Sequence, residues 1–173
     1  MFEKILVATD GSTHGRNATR VAGSLAGRYD AELIIAHVVT EKPVPEELRR
    51  MAEVEHLVKM PEPEPNSSFG RLSLKPSREV TEQQLKAAIA RKLLEQGAAL
   101  AKKEGATMVQ PLELEGDAAD ALVRATKERG VDLVVIGSRS FGPLGRLLHG
   151  SVSTEVSQHV RCPCLIVKRA DNS

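Results

Sequence analysis

Aromatic side chains are almost missing from this chain: Phe2, Tyr29, Phe69 and Phe141 are all there are, and tryptophan is absent. So few rings cannot build a base-stacking platform or an aromatic membrane belt. An excess of charge of one sign is lacking too. With 24 Lys and Arg against 23 Asp and Glu, the formal net charge is +1, which removes the basic footprint of a general nucleic-acid binder. No polynucleotide partner is expected. No apolar run approaches the roughly 18 residues that a membrane span needs. Met1 leads directly to Lys4-Ile5-Leu6-Val7 without the layout of a signal peptide. The expectation is a cytoplasmic protein that does not engage a membrane.

Cysteine is scarce as well. Cys162 and Cys164 flank a single proline, and a disulfide across that spacing would strain an extended segment, so free thiols are expected. Two thiols alone make a poor zinc site, and neither His149 nor His159 stands at a recognised ligand spacing from them, so no metal ligand is assigned.

What is present suits a globular core. The chain has 173 residues, 41% apolar and 27% charged, which fits one domain over residues 1–173 carrying an insertion. Lys4 to Thr9 is a β-branched run that ends in Asp10-Gly11-Ser12, a buried strand entering a turn. From Ser12 the period changes, and Ala18, Val21, Ala22, Leu25, Ala26 and Tyr29 make one helical stripe. Glu32 to Val39 is nearly all apolar, as in a parallel strand covered on both faces. The first unit is therefore βαβ, with a right-handed crossover expected.

Residues 41–80 hold six of the nine prolines, including Met60-Pro-Glu-Pro-Glu-Pro65, which cannot sustain a helix or a central strand. A short helix within Pro45 to Lys59 is the one regular element expected before that run. Thr81 with Gln84 three residues later resembles a capping box opening a long amphipathic helix through Leu100, closed by Gly105. Thr107 to Leu114 reads as a third strand, placed at a sheet edge by Pro111. Asp117 caps a helix that stops at Gly130, Val131 to Ile136 is a buried strand, a last helix starts at Ser151, and Cys164 to Val167 forms a fifth strand. Strands alternating with helices predict an open, doubly wound, five-stranded parallel α/β sheet with helices on both faces. Ligands of such sheets sit beyond the carboxyl ends of the strands where strand order reverses, which directs attention to Asp10 and Gly137.

Gly137 to Ser153 contains four glycines and no acidic residue. Glycine lets backbone N–H groups approach an anion closely. Ser151 and Ser153 add hydroxyls where the next helix presents unpaired N–H groups, so phosphate is the natural guest. Arg139 and Arg146 could contribute charge-assisted contacts. The same residues also suit a tight strand-to-helix connection with Ser151 as an ordinary N-cap. Neither of the familiar phosphate-loop spacings is present.

Taken together, Ile5-Leu-Val-Ala-Thr-Asp-Gly-Ser12 at one end, and Gly137 to Ser153 followed by Cys162-Pro-Cys-Leu-Ile-Val-Lys168 at the other, resemble the universal stress protein family. The resemblance covers the chain outside about 41–80. It implies a Rossmann-like sheet of strand order 3-2-1-4-5 and, in the ATP-binding subgroup, a motif Gly-2x-Gly-9x-Gly-Ser/Thr. This chain offers Gly137, then Ser140 in place of the second glycine, then Gly150-Ser151, with the spacing kept. Carried over by position, Ala8 and Val38 would lie against adenine, with the Val38 backbone reading the base edge, and Asp10 would lie near the ribose or phosphates. Gly137, Ser138, Arg139 and Ser140, with Gly150, Ser151, Val152 and Ser153, would hold ribose and phosphates. Asp10-Gly11 also suits an ordinary turn, and His37 reads as a satisfied core histidine. The implied cofactor is ATP or AMP, with Mg²⁺, where bound, held mainly by the phosphates.

Three functions follow: a nucleotide-binding stress-response regulator, a nucleotide-free dimeric adaptor favoured if Ser140 closes the pocket, and an enzyme, either a slow ATPase or a nucleotidyl-transferring relative on the same sheet topology. No catalytic residue is assigned, because no paired carboxylate, Cys–His or Ser–His arrangement near the loop supplies a general base. The apolar last strand would leave an open sheet edge, which pairing with a second copy would cover, and the resemblance implies the same homodimer.

Overall fold

The computed structural model describes residues 1–57, 78–138 and 152–168. In chain order these form β1 (Lys4–Ala8), α1 (Thr13–Tyr29), β2 (Glu32–Val39), α2 (Glu46–Val54), α3 (Arg78–Lys103), β3 (Met108–Glu115), α4 (Ala118–Arg129), β4 (Leu133–Gly137), α5 (Val152–His159) and β5 (Cys164–Val167). The strands make one sheet of order β3-β2-β1-β4-β5, every pair parallel. This is the expected doubly wound α/β sheet, with β3 and its Pro111 at one edge.

The chain divides into two compact units, one of residues 1–41 and 90–173 and one of residues 42–89. In the first, strand alternation sends side chains to two faces. Ile5, Val7, Leu33, Ile35, Leu133 and Val135 pack with Ala18, Ala22 and Ala26 of α1 and Leu94 and Ala101 of α3. On the other face Leu6, Ile34, Ala36, Val134 and Ile136 pack with Ala119, Leu122 and Ala125 of α4 and Val156 of α5. The central strands are buried on both sides, which is why their sequences are continuous apolar runs.

Alanine and glycine on the helices set how close the layers come. A β-carbon on Gly23 would stand 2.8 Å from the Ala101 carbonyl oxygen, so α1 and α3 meet with their backbones nearly touching. The helix ends follow local chemistry. Asp117 accepts from Ala119 N–H at 2.9 Å and Asp120 N–H at 3.2 Å to cap α4, and Gly130 at φ 63° closes it. Gly105 at φ 112° follows α3, where Ala106 N–H bonds the Ala101 carbonyl at 3.1 Å.

In the second unit α2 is tied to the first turns of α3 by one carboxylate. Glu82 accepts Val44 N–H on Oε1 at 3.0 Å and the Arg49 guanidinium on Oε2 at 2.9 Å. These bonds hold its carboxyl below the usual glutamate value.

Some boundaries differ from expectation. α3 begins at Arg78, so Thr81 lies inside it and not at its start; helical pairing extends past the residue that local capping chemistry would select. β1 stops at Ala8 because Thr9 already enters the turn, and β4 runs from Leu133 to Gly137.

Candidate functional site

Strand order reverses between β1 and β4, the neighbours from which the chain winds outward in opposite directions. Their pairing places Ala8 opposite Ile136, so Thr9, Asp10, Gly137 and Ser138 come together at the carboxyl end of the sheet. The chain turns sharply after Thr9. Asp10 Oδ1 accepts Ser12 N–H at 3.0 Å, Gly11 sits at φ 76°, and Ser12 caps α1 by accepting Gly15 N–H at 3.2 Å. Arg16 folds back on this turn, donating to the Gly11 carbonyl and, at 3.1 Å, to Thr13 Oγ1. The amino end of α1, with no acidic residue in its first turn, thus opens at the switch point.

Two glycines make this junction possible. A β-carbon on Gly15 would lie 2.8 Å from Asp10 Oδ1. One on Gly137 would lie 2.6 Å from the His14 carbonyl oxygen, so the start of α1 crosses directly over the end of β4. Gly137 is the first glycine of the anion-loop reading, and its packing against α1 is a demand that the sequence does not reveal. His14 is a residue that the sequence reading missed: its Nε2 is buried with no hydrogen-bond partner among the described residues. The signal available was a histidine in the first helical turn after Asp-Gly-Ser.

On the other side of β1, β2 runs past its neighbour. Pairing of β1 with β2 ends at Ala8 opposite Ala36, while β2 continues to Val39 alongside β3. Along β2 the backbone groups alternate between neighbours. Glu32 N–H bonds the Glu3 carbonyl and the Ala36 carbonyl accepts Thr9 N–H, each at 2.9 Å, so the even-numbered residues turn toward β1. Val39 turns the other way, its carbonyl accepting Gly116 N–H at 3.1 Å. By this alternation Val38 directs its N–H and C=O past the end of β1. Its side chain and that of Ala8 pack, partly buried, on the α4–α5 face. His37 Nδ1 lies 2.9 Å from the Thr9 carbonyl oxygen, the satisfied histidine that was expected.

The structure therefore brings Ala8, Asp10, Val38, Gly137 and Ser138 to one end of the sheet, and Ser138 N–H bonds the Val167 carbonyl at 2.9 Å. Val152 and the buried Ser153 open α5. Arg139, Ser140, Gly150 and Ser151, together with Arg146, lie outside the described residues. Among the described residues there is no group of three or more His, Cys, Asp or Glu able to hold a metal ion. Cys162 and Cys164 are free, and burial raises both thiols above the ordinary value, Asp132 adding to the effect at Cys162 and Cys162 at Cys164. No described helix is long and apolar enough to cross a membrane.

Comparison with known proteins gives one answer. Universal stress protein YxiE of Bacillus subtilis is 33% identical over 168 residues, covering 97% of this chain and all of the relative. A universal stress protein of Thermus aquaticus is 30% identical over the same shares of both chains. Among solved structures, a universal stress protein in complex with cAMP superposes with a TM-score of 0.66 at 25% identity, covering 98% of each chain. The sequence profile of the universal stress protein family matches residues 1–168, and the chain belongs to that family.

Proposed function

We propose that this universal stress protein binds an adenine nucleotide, ATP or AMP, at the switch point between β1 and β4 and acts as a cytoplasmic stress-response regulator. The observation that carries this reading is the overrun of β2: Val38 turns a donor and an acceptor past the end of β1, beside the turn that holds Asp10. An adenine edge offers an amino donor next to a ring-nitrogen acceptor, the complement of one residue's C=O and N–H. Ala8 and Val38 supply apolar surface for the base. Asp10 stands where a ribose or phosphate would follow, and Gly137, Ser138, Val152 and Ser153 border the phosphate end. Arg139, Ser140, Gly150 and Ser151 join the proposed site through the family resemblance alone. A relative of the same fold is known in complex with cAMP, which supports the choice of an adenine ligand. Mg²⁺, where bound, would be held mainly through the phosphates.

The family match over residues 1–168 supports a single domain, and the six prolines of residues 41–80 mark the proposed insertion within it. The edge strand β5, with Leu165 and Ile166 partly exposed, supports a homodimer built through that strand.

Calorimetric titration with AMP and with ATP tests the ligand. Binding of either, weakened in Asp10→Ala, is the expected result; no heat at millimolar ligand removes the reading.

A further inference from the structure

We propose that His37 is a positioning residue for the base: by engaging the Thr9 carbonyl with its ring, it leaves the main-chain N–H and C=O of Val38 outside the sheet and available to a ligand. The proposal rests on the nucleotide reading above and deepens it.

In a parallel ladder, a residue facing its neighbour bonds the residues just before and just after its partner. Ala36 stands opposite Ala8, and its carbonyl accepts Thr9 N–H at 2.9 Å. Were the ladder to run one step further, the next bond would join Val38 N–H to the Thr9 carbonyl. That acceptor is met instead by His37 Nδ1, also at 2.9 Å. A carbonyl oxygen only accepts, so Nδ1 carries the proton in this contact. One side chain of β2 thus stands in for a main-chain bond of the same strand.

Two features make the substitution useful. The Thr9 carbonyl lies at the crowded end of β1, where an unmet acceptor is costly, and His37 satisfies it without drawing β1 further along β2. The chain is then able to bend away through Asp10 and Gly11, the bend fixed by Ser12 N–H on Asp10 Oδ1 at 3.0 Å and by φ 76° at Gly11. Because side chains alternate along a strand, His37 works from the α1–α3 face while the Val38 side chain packs on the opposite face. The histidine therefore shapes the base edge without occupying the place of the base.

The test compares His37→Ala, His37→Asn and His37→Gln in the full chain. An asparagine amide donates from close to the Nδ1 position, and a glutamine amide is one bond too long. AMP affinity by calorimetry is expected to fall about tenfold in His37→Ala and His37→Gln, the scale of one lost hydrogen bond, and to stay within about threefold in His37→Asn. Hydrogen exchange at the Val38 amide, followed by NMR without ligand, is the second readout. It is expected to be fast in the wild type and in His37→Asn, and slowed in His37→Ala as Val38 pairs with Thr9. Wild-type affinity in both His37→Ala and His37→Gln overturns the proposal, and so does Val38 exchange that is unchanged in His37→Ala. If His37→Ala does not fold, the contrast between asparagine and glutamine decides by both readouts. If the wild type binds no AMP, the nucleotide reading fails while Val38 exchange still judges the role of His37.

Discussion

A β-carbon placed on Gly137 would stand 2.6 Å from the carbonyl oxygen of His14, which makes the last residue of β4 a seat for the first turn of α1. The two nearest obstructing atoms are backbone, so swinging a side chain aside would not make room. Gly137→Ala is expected to destabilise the fold by about 1–3 kcal/mol, the usual cost of overpacking, measured by urea unfolding. Gly97→Ala, whose nearest obstacle is Ile35 Cγ2 at 3.1 Å, is expected to cost less. Equal, negligible effects of both changes would show that α1 is not seated on Gly137.

Glu82 makes the second unit sensitive to acid. The Val44 N–H and the Arg49 guanidinium lower its folded pKa from the ordinary 4.5, with Lys86 adding to the effect. A lowered folded value means that the stabilisation is complete above the unfolded pKa and is lost as pH falls through the folded one. Amide exchange in α2 is therefore expected to accelerate as pH drops below about 4.5, after correction for intrinsic rates. In Glu82→Gln, α2 should exchange faster already at pH 7 and lose most of that acid dependence. An α2 equally protected in both proteins at pH 7 would contradict the tie.

Both cysteines should be sluggish nucleophiles. Burial disfavours the thiolate of Cys162 and Cys164, and the thiolate is the reacting species. Modification by a thiol reagent at pH 7 is expected to be at least several-fold slower than for free cysteine. Rates should rise on going to pH 9 and reach the free-cysteine rate in denaturing urea. Full reactivity of the folded protein at pH 7 would place these thiols outside the core.

The edge strand β5 offers a clean test of the proposed dimer. Val134 N–H bonds the Pro163 carbonyl and Ser138 N–H the Val167 carbonyl, each at 2.9 Å. Residues 163, 165 and 167 therefore face β4, while Cys164 and Ile166 turn their N–H groups outward. Ile166→Pro deletes an outward donor and spares every bond to β4. A change from dimer to monomer by sedimentation, with the melting temperature of the subunit little altered, is the expected result. A persisting dimer would show that the interface lies elsewhere.

Much of this was legible in the sequence because burial on both sides leaves an unbroken apolar signal. β2 was expected at Glu32 to Val39 and is found there, and Asp117 and Gly130 bound α4 as their chemistry requires. Pro111 pointed to an edge, and β3 is one. What was hidden depends on partners far away in the chain. Nothing around Gly137 announces that His14 passes above it, and nothing near Glu82 names Val44 and Arg49. The Thr81–Gln84 pair misled for the converse reason: a local capping pattern was overridden by a helix that starts at Arg78. Of the candidate site, sequence found the residues at the strand ends. It could not find the register that carries Val38 beyond β1, since register is a property of two strands together.

The two borders of the sheet are unlike, and the difference bears on the proposed pairing of copies. At β3, Gly116 N–H reaches the Val39 carbonyl, so even-numbered residues there face inward and Pro111 falls among those that face out. Its missing N–H removes a donor from that border at no cost to the ladder, and Glu113 and Glu115 add negative charge along the same strand. Only the β5 border retains an outward donor at each of its outward-facing positions. Were copies to join by strand addition as proposed, the β5 border would be the better-equipped side, and the gap at Pro111 would hinder fibre-like propagation from the β3 side.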